Sequence, residues 1–436
     1  MTFPADLFPD TTRVTTRNTL AIGGCDLVAL AAEYGTPLYV YDETTIRARA
    51  RAIRDAVAAG YSGRATVCYA AKAYVGTWLL KIIASEGFGL DVVSGGELHV
   101  AVVAEFPRAR TFFHGNNKTE DELVYALDQK IARIVVDNLD EVALLGRLAS
   151  ARGATQPVLL RVGPGVDAHT HAHLITGAVD TKFGLDIGSG AAEEGVRAIL
   201  AQPSLDLRGF HAHIGSQIRE LEAYRVAVGR VFAFAAAMRD ATGFVMREMS
   251  PGGGYPVRYV PDDPAVDLAE MVRAVASAVA AASKAHGFDL PEITLEPGRS
   301  MIAAAGVALY RVGSVKKGAR TYVAVDGGMS DNIRPTAYGA RYTAALANRV
   351  QDGDVADVAI AGKYCETGDI LIQSVALPLP RVGDLIAVPV SGAYQLAMAS
   401  NYNMATRPAV VVVTDGKAQR VAARETYDQI LAKEIV

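Results

Sequence analysis

The sequence TVCYAAK, at residues 66–72, is the first of eight short apolar runs between residues 66 and 299. A run this short, rich in β-branched and aromatic residues, is typical of a buried strand. Lys72 closes the run, and burial at such a place disfavours the charged ammonium and lowers its pKa. A lysine of this kind can attack a carbonyl group and form a Schiff base, whereas an isolated lysine at a strand end usually reaches out to solvent. The other strand ends decide between these two interpretations.

Seven similar runs follow, separated by amphipathic stretches. The predicted strands are residues 66–72, 88–94, 110–116, 132–138, 157–163, 207–215, 245–252 and 292–299. Regular alternation of strand and helix indicates parallel strands joined by crossover helices. Eight strands in about 240 residues predict an α/β fold, a (β/α)8 barrel of the TIM type. The rival is an open doubly wound sheet, which usually has fewer strands and a phosphate-binding fingerprint after the first one.

The pattern changes after residue 301. Strand-like segments at 306–315, 321–325, 355–361, 370–377, 384–390 and 409–413 are separated by Gly, Asp or Pro turns, with a little helix near 338–349. These segments predict a mainly antiparallel β-domain. We expect a barrel over residues 43–305 and a β-domain made of residues 1–42 and 306–436, because residues 37–41 also read as a strand.

Composition and charge exclude several classes of function. The 436 residues are 50% hydrophobic and carry a net charge of −4, with no basic run longer than Lys316-Lys317, which argues against nucleic acid as a partner. We find no signal peptide and no stretch that would span a membrane. The three cysteines, Cys25, Cys68 and Cys365, are far apart and lack metal-ligand spacing. We therefore expect a cytoplasmic protein with reduced thiols.

The strand ends carry the chemistry, because barrel enzymes bind substrate at the C-terminal ends of their strands. Asp91 lies late in the second predicted strand, His213 near the end of the sixth, and Glu296 in the eighth. Glycines 252–254 follow the seventh strand, where backbone amides can approach a phosphate. A reactive lysine, a phosphate site and a carboxylate together suit pyridoxal 5'-phosphate. Glu296 would face the pyridinium nitrogen, and His213 would stack on the ring unless it is simply a core histidine, the interpretation kept for His211.

Several motifs are similar to known sequences. YAAKA (69–73), HAHIGSQ (211–217), GGGYP (252–256) and EPGR (296–299) resemble the fold-type III pyridoxal-phosphate decarboxylases. DGGMSDN (326–332), Arg334-Pro335, Tyr338, CETGD (365–369), GAY (392–394) and MASNYN (398–403) resemble the diaminopimelate decarboxylase family. The resemblance extends from about residue 20 to residue 408. It implies PLP-dependent decarboxylation of meso-2,6-diaminopimelate to L-lysine and carbon dioxide.

The resemblance also implies roles for individual residues. Lys72 would hold the cofactor as a Schiff base, and Cys365 would donate the proton that replaces carbon dioxide. The cofactor-binding set would be Lys72, Asp91, His213, Ser216, Gly252, Gly253, Gly254, Glu296, Gly298, Arg299 and Tyr394. Arg299, Arg334 and Tyr338 would hold the distal carboxylate of the substrate, Glu366 its distal ammonium, and Tyr394 would touch cofactor and substrate. In this family Cys365 and Glu366 reach the neighbouring subunit's site, which implies a homodimer with shared active sites.

Two positions depart from the family pattern. Thr367 replaces a serine and keeps its hydroxyl, whereas Tyr74 replaces an asparagine and places a large ring just past Lys72. Tyr74 keeps open a second hypothesis, a decarboxylase of the same fold acting on arginine, ornithine or a biosynthetic derivative. His169, His171 and His173 alternate in the segment 164–186, which we interpret as an exposed flap over the barrel mouth with no bound metal.

Overall fold

The computed structural model describes residues 3–166 and 182–435. The chain forms two compact units. The barrel unit comprises Ala50–Pro256 and Asp267–Gly298, and the sheet unit comprises Met1–Arg49, Val257–Val266 and Arg299–Val436. Each unit is therefore assembled from segments that are distant in sequence.

The barrel unit is built on a closed ring of eight parallel strands. In chain order they are Ala65–Ala70, Gly89–Val92, Thr111–Phe113, Arg133–Val136, Gln156–Gly163, Leu205–His211, Glu248–Gly252 and Glu292–Leu295. The ring closes where the eighth strand pairs with the first. A short additional strand, Leu185–Asp186, pairs with the fifth. The predicted (β/α)8 barrel is confirmed.

Helices alternate with the barrel strands. They are Glu43–Gly60, Thr77–Ser85, Gly95–Val103, Glu120–Gln129, Leu139–Ala151, Ala191–Leu200, Leu221–Thr242 and Leu268–Ala285. Local sequence fixes several of their starts: the Thr119 and Asn138 side chains each accept a hydrogen bond from a backbone N–H in the first turn. Four barrel strands contribute side chains to one buried cluster, which consists of Cys68, Phe112, Val135 and Leu159. The apolar runs of the sequence thus become the barrel wall.

Six of the eight barrel strands end earlier than the sequence predicts, and the fifth and seventh end at the predicted residues. The first predicted strand was to end at Lys72, but it ends at Ala70, and Ala71–Ala73 form one turn of 3-10 helix. The sixth ends at His211 and the eighth at Leu295, so that His213 and Glu296 lie just beyond them. Inter-strand hydrogen bonds continue for a residue past these ends, since the Ala212 N–H donates to the Ser250 carbonyl at 2.8 Å and the Glu296 N–H to that of Gly252 at 3.1 Å. Lys72, His213 and Glu296 therefore stand where the chain leaves the barrel strands.

The sheet unit contains a large, mostly antiparallel sheet, as predicted. Its strands are Leu38–Asp42, Gly306–Lys316, Thr321–Val325, Ala345–Leu346, Val355–Ala361, Ile370–Pro378, Leu385–Val388, Ala409–Thr414 and Lys417–Ala422. Leu38–Asp42 lies between Gly306–Lys316, its antiparallel neighbour, and Ala409–Thr414, its parallel neighbour. A second, small sheet consists of Arg13–Val14, Leu20–Ile22 and Cys25–Asp26.

The helices of the sheet unit are short: Leu27–Tyr34, Arg299–Ile302, Arg334–Tyr338 and Tyr427–Leu431. The helix predicted near 338–349 is wrong. Arg334–Tyr338 has Pro335 in its first turn and stops at Gly339, whose φ of +60° breaks the helix. Within the part of the chain that the structure describes, every helix is too short or too polar to cross a lipid bilayer.

Candidate active site

Lys72 stands on the turn after the first barrel strand. It is accessible to solvent, yet the surrounding barrel residues desolvate it enough to lower the pKa of its ammonium, and the negative charge of Glu296 only partly opposes this. A lowered pKa makes the neutral amine available at lower pH, which is the form that attacks carbonyl groups. The electrostatics thus support the nucleophilic interpretation of Lys72.

Glu296 is held by hydrogen bonds to both of its carboxylate oxygens. The Ser250 hydroxyl donates to its Oε1 at 2.6 Å, and Nε2 of His211 lies 3.1 Å from its Oε2. Burial opposes the charge of Glu296, but the two neighbouring histidines and these hydrogen bonds hold its pKa below the usual value. Burial lowers the pKa of His211 to about 4, so that a neutral ring donates its Nε2–H. Glu296 is therefore an ionised carboxylate with fixed orientation.

Asp91 and His114 have polar atoms without ordinary hydrogen bonds. Neither carboxyl oxygen of Asp91 accepts a hydrogen bond from a nitrogen or oxygen atom of the described residues, and Nε2 of His114 has no such partner either. The two groups lie 3.4 Å apart. Burial, followed by the charge of Glu296, raises the pKa of Asp91 well above its usual value. Orphaned polar atoms next to a reactive lysine mark a place built to receive a polar ligand.

The three glycines after the seventh strand form a crowded cradle. A Cβ on Gly253 would lie 2.0 Å from the Glu296 carbonyl oxygen, and one on Gly254 would lie 2.5 Å from that of Gly215. Gly252 and Gly254 have φ values of +74° and +99°, which favour glycine. The Gly253 N–H donates to Nδ1 of His213 at 3.3 Å, which fixes the imidazole beside the cradle. Burial, with Lys72 next, lowers the pKa of His213 well below its usual value.

These barrel residues fit pyridoxal phosphate. An amine, an oriented carboxylate, a neutral imidazole and a glycine cradle lie on neighbouring strand ends, and Ser216 is exposed on the turn that follows His213. Gly298 is packed against Ala70, since a Cβ there would lie 3.1 Å from the Ala70 Cβ. The structure thus brings together Lys72, Asp91, His213 and Glu296 as predicted neighbours in one electrostatic cluster.

A second group of predicted residues lies in the sheet unit. NH1 of Arg299 donates to the Tyr259 hydroxyl at 2.6 Å, and NH1 of Arg334 donates to the same oxygen at 2.9 Å. Arg334 also donates to the Tyr342 hydroxyl at 2.7 Å, and the Arg299 guanidinium stacks over the Tyr394 ring at 4.5 Å. Like charges repel each other, and an anion bound between two guanidinium groups that converge on one oxygen atom would relieve that repulsion. This arginine pair is therefore prepared for an anion.

The burial of Arg334 strengthens the argument that this pair binds an anion. Its side chain is buried, 8% exposed, and no carboxylate among residues 3–166 and 182–435 forms an ion pair with it. Tyrosine hydroxyls satisfy some of its donors but leave its charge uncompensated, and a buried charge without a counter-ion is costly. By contrast, Tyr338, predicted in the same subsite, is 67% exposed on the single chain.

Cys365 and Glu366 are exposed on the loop 362–369, which we call the donor loop. The Asp369 carboxylate holds this loop by accepting the N–H groups of Met329 at 2.7 Å and Tyr364 at 2.9 Å. The Cys365 N–H donates to the Asn403 side-chain oxygen at 3.3 Å, and the Tyr402 hydroxyl donates to Glu366 at 2.9 Å. The motif 398–403 thus supports the donor loop.

Sequence reasoning missed several of these partners: His114, His211, Ser250, Tyr259, Tyr342 and Asn403. His211 was predicted to be a core histidine, and it is buried but also bonded to Glu296. His114, His211 and Glu296 have ligand atoms within 4.8 Å of one another, and we interpret this group as the anchor of the Glu296 carboxylate. The predicted flap, in part, and His169, His171 and His173 lie outside the described residues.

The fold and site are those of a pyridoxal-dependent decarboxylase. A family model described as the pyridoxal-binding domain of pyridoxal-dependent decarboxylases matches residues 43–303. The diaminopimelate decarboxylase of Bacillus subtilis (strain 168) is 46% identical over 428 residues, 98% of this chain and 97% of the relative. That of Mycobacterium tuberculosis (strain H37Rv) is 41% identical over 440 residues, 97% of each chain. The chain belongs to the diaminopimelate decarboxylase family.

Solved structures agree with this assignment. Diaminopimelate decarboxylase from M. jannaschii in complex with L-lysine superimposes with a TM-score of 0.92 at 31% identity, covering 98% of both chains. The Helicobacter pylori enzyme complexed with L-lysine gives 0.83 at 28% identity, covering 93% of this chain and 98% of that one. A lysine/ornithine decarboxylase from Vibrio vulnificus, at 20% identity and a TM-score of 0.75 over 89% of this chain and 98% of that one, shows the shared fold.

Proposed function

We propose that the two groups of side chains described above have different tasks in this chain, a PLP-dependent carboxy-lyase. The reaction converts meso-2,6-diaminopimelate to L-lysine and carbon dioxide. The barrel residues hold the cofactor, and the sheet-unit residues select the substrate and complete the reaction. The close relatives named diaminopimelate decarboxylase support the activity, and the residue roles are our proposal.

The barrel residues bind and orient the cofactor. When bound, pyridoxal phosphate supplies an electron-accepting ring that stabilises the electron pair left by carbon dioxide. The Lys72 amine would be the covalent attachment point, and the ionised Glu296 carboxylate would favour a proton on the pyridine nitrogen. His213 would hold the ring from one face. Gly252, Gly253, Gly254 and Ser216 bind the phosphate through backbone and hydroxyl donors, and Asp91, Gly298, Arg299 and Tyr394 complete the cofactor-binding set.

The sheet-unit residues read the end of the substrate that does not react. Arg299, Arg334 and Tyr338 bind the distal carboxylate, and Glu366 binds the distal ammonium. Guanidinium groups suit a carboxylate because their donors match its geometry. Tyr394 contacts cofactor and substrate. The Cys365 thiol delivers the proton to the α-carbon after carbon dioxide leaves.

We also propose that the protein is a homodimer in which Cys365 and Glu366 serve the neighbouring subunit's site. The exposure of both residues on the donor loop of a single chain supports this arrangement. A cytoplasmic location fits the thiols, since Cys25, Cys68 and Cys365 are all free and the cytosol keeps thiols reduced.

The buried charge of Arg334 is the observation that carries the choice of substrate. Ornithine, arginine and lysine each have one carboxylate, which is lost in the reaction, so that none of them brings a distal anion to the arginine pair. Diaminopimelate has a second carboxylate. The alternative substrates would thus bring no anion to the buried charge of Arg334 during turnover.

A panel of amino acids tests this proposal. Purified protein with pyridoxal phosphate is assayed for carbon dioxide release from meso-diaminopimelate, the LL isomer, L-lysine, L-ornithine and L-arginine. We expect meso-diaminopimelate to be by far the best substrate. Arg334→Ala should reduce its kcat/KM by roughly 10- to 100-fold, the loss of a charged hydrogen bond, and should affect lysine and ornithine much less.

The matched control is Arg341→Ala, which removes an exposed guanidinium paired with Asp262 at 2.7 Å and should leave kcat/KM nearly unchanged. Faster decarboxylation of L-arginine or L-ornithine than of meso-diaminopimelate would overturn the substrate assignment in favour of the second hypothesis.

A further inference from the structure

Tyr259 occupies the centre of the arginine pair. Its hydroxyl oxygen accepts N–H groups from both Arg299 and Arg334, at 2.6 and 2.9 Å. Its ring lies 5.0 Å from the Arg334 guanidinium and packs edge-on against Tyr342, with centroids 5.2 Å apart. The side chain is buried, 6% exposed.

The hydrogen-bonding capacity of this phenol is only partly used. A tyrosine hydroxyl can donate one hydrogen bond as well as accept. Both arginines donate to its oxygen, and no acceptor for the hydroxyl hydrogen is found among the residues that the structure describes. Because the guanidinium groups occupy the lone pairs, the O–H bond must point away from both of them, and its polarity is increased by the two cations.

We propose that Tyr259 is a third donor to the distal carboxylate of the substrate and so contributes to its selection. This inference rests on the proposed function of Arg299 and Arg334. A carboxylate has two oxygens with about four acceptor positions, enough for both guanidinium groups and the phenol. The phenol therefore has two tasks: it holds the cations side by side, and it donates its own hydrogen to the anion that they bind.

Tyr342 provides a contrast within the same cluster. Its hydroxyl accepts from NH1 of Arg334 at 2.7 Å, the same nitrogen that donates to Tyr259. If Tyr259 only held Arg334 in place, then removing either hydroxyl would have a similar effect. A direct contact with the substrate predicts a larger effect at Tyr259.

Binding of the product tests the proposal. L-Lysine keeps the carboxylate that the arginines read, and cadaverine, its decarboxylated analogue, lacks it. Calorimetry with the cofactor-loaded protein gives the affinity of each ligand for the wild type and for Tyr259→Phe, Tyr342→Phe and Tyr61→Phe. Tyr61 is the matched control, since its buried hydroxyl donates to the Pro291 carbonyl at 2.6 Å within the barrel unit.

We expect Tyr259→Phe to weaken L-lysine binding about tenfold and to raise the KM of meso-diaminopimelate similarly, the effect of one hydrogen bond to a charged group. Cadaverine binding and kcat should change less than about twofold on the same scale. Tyr342→Phe should have a smaller effect on L-lysine, and Tyr61→Phe none.

Equal effects of Tyr259→Phe on L-lysine and cadaverine, no effect on either, or equal losses in Tyr259→Phe and Tyr342→Phe would overturn the proposal. If Tyr259→Phe does not fold, Tyr259→His takes its place. Equal changes in the affinities for L-lysine and cadaverine would again contradict the proposal. A wild type that neither binds L-lysine nor decarboxylates diaminopimelate would refute the proposed function, whereas an active wild type with unchanged selectivity in the variant would refute this inference alone.

Discussion

At the scale of single residues, the charge state of Glu296 depends on two groups to which the sequence assigned no part in the site. The Ser250 hydroxyl and the His211 ring each donate to one of its oxygens. An ionised, oriented carboxylate is what a protonated pyridine nitrogen requires. In the proposed function, His211 would act on the cofactor only through Glu296, as a positioning residue.

We predict that His211→Phe weakens cofactor binding about tenfold, because the Glu296 carboxylate loses a charged hydrogen bond worth about 1.5 kcal/mol or more. Titration of the cofactor-free protein with pyridoxal phosphate, followed by visible absorbance, measures this change. His99→Phe removes an exposed histidine that contacts Tyr125 and serves as the control. An unchanged affinity in His211→Phe would show that Ser250 alone orients the carboxylate.

Burial of neutral histidines also makes stability depend on pH. The pKa of His114 is lowered to about 4 by burial, whereas histidine in the unfolded chain titrates near 6.5. Between these values the unfolded chain binds more protons than the folded one, so the free energy of unfolding falls as the pH is lowered.

We therefore expect the melting temperature of the wild type to fall between pH 7 and pH 5, and to fall less in His114→Gln. Thermal unfolding of the cofactor-loaded proteins across this range measures the difference, with His99→Gln as the exposed control. If His114→Gln shows the same pH dependence as the wild type, His114 does not stay neutral in the folded protein.

At the scale of elements, the donor loop is held by its neighbours more than by its own sequence. Asp369 fixes its base through two backbone N–H groups, and Asn403, with φ of +50°, presents its side-chain oxygen to the Cys365 N–H. The loop can thus place the thiol without a regular element beneath it.

Asn403→Gly removes the amide while tolerating the left-handed backbone. We predict a decrease in kcat of about fivefold, the equivalent of one ordinary hydrogen bond, and faster hydrogen exchange in residues 362–369, with cofactor affinity unchanged. Asn403→Asp, which keeps an acceptor oxygen, should retain most of the activity. Met404→Ala controls for the segment. Equal activity of Asn403→Gly and wild type would mean that the loop is placed by Asp369 alone.

The sequence predicted the elements of this molecule better than their ends. Apolar runs indicated all eight barrel strands because each strand is buried on both faces. Lys72 was predicted to end a strand, yet it stands on a 3-10 turn, since apolar residues such as Ala71 are equally at home in a buried turn. The short helix Arg334–Tyr338 was missed although Pro335 and Gly339 mark its limits.

The residues of the candidate site were likewise predicted only in part. Residues within specific motifs, such as Lys72 and Arg334, could be named from the sequence. Tyr259 and Ser250 could not, because tyrosine and serine are common residue types and their role arises only from contacts formed in the fold. His211 lies in the same motif as His213, but its hydrogen bond to Glu296 joins residues that are 85 positions apart. The local sequence therefore could not predict this contact.

At the scale of the whole molecule, shared sites would make activity depend on association. Lys72 and Cys365 would then belong to different subunits at each site. Lys72→Ala alone should abolish the visible absorbance of the bound cofactor and turnover, because the covalent attachment point is lost. Cys365→Ala should bind cofactor but lose most turnover.

Mixing the two inactive variants should restore about one quarter of wild-type activity, since random exchange makes half of the dimers mixed and each mixed dimer has one intact site. Activity is measured after subunit exchange has been demonstrated with differently tagged chains. No recovery after proven exchange would show that each site is built from a single chain.

The strand Leu38–Asp42 has a consequence for the order in which a newly made chain can fold. It lies in the middle of the large sheet, between Gly306–Lys316 and Ala409–Thr414. Ribosomes add roughly 5–20 residues per second, so about 370 residues of synthesis, roughly 20–70 seconds, separate this strand from its last neighbour. The barrel segment up to Pro256 leaves the ribosome well before then. One of the first strands to be translated must therefore wait with both hydrogen-bonding edges unpaired until Gly306–Lys316 emerges, and with one edge unpaired until the end of translation supplies Ala409–Thr414.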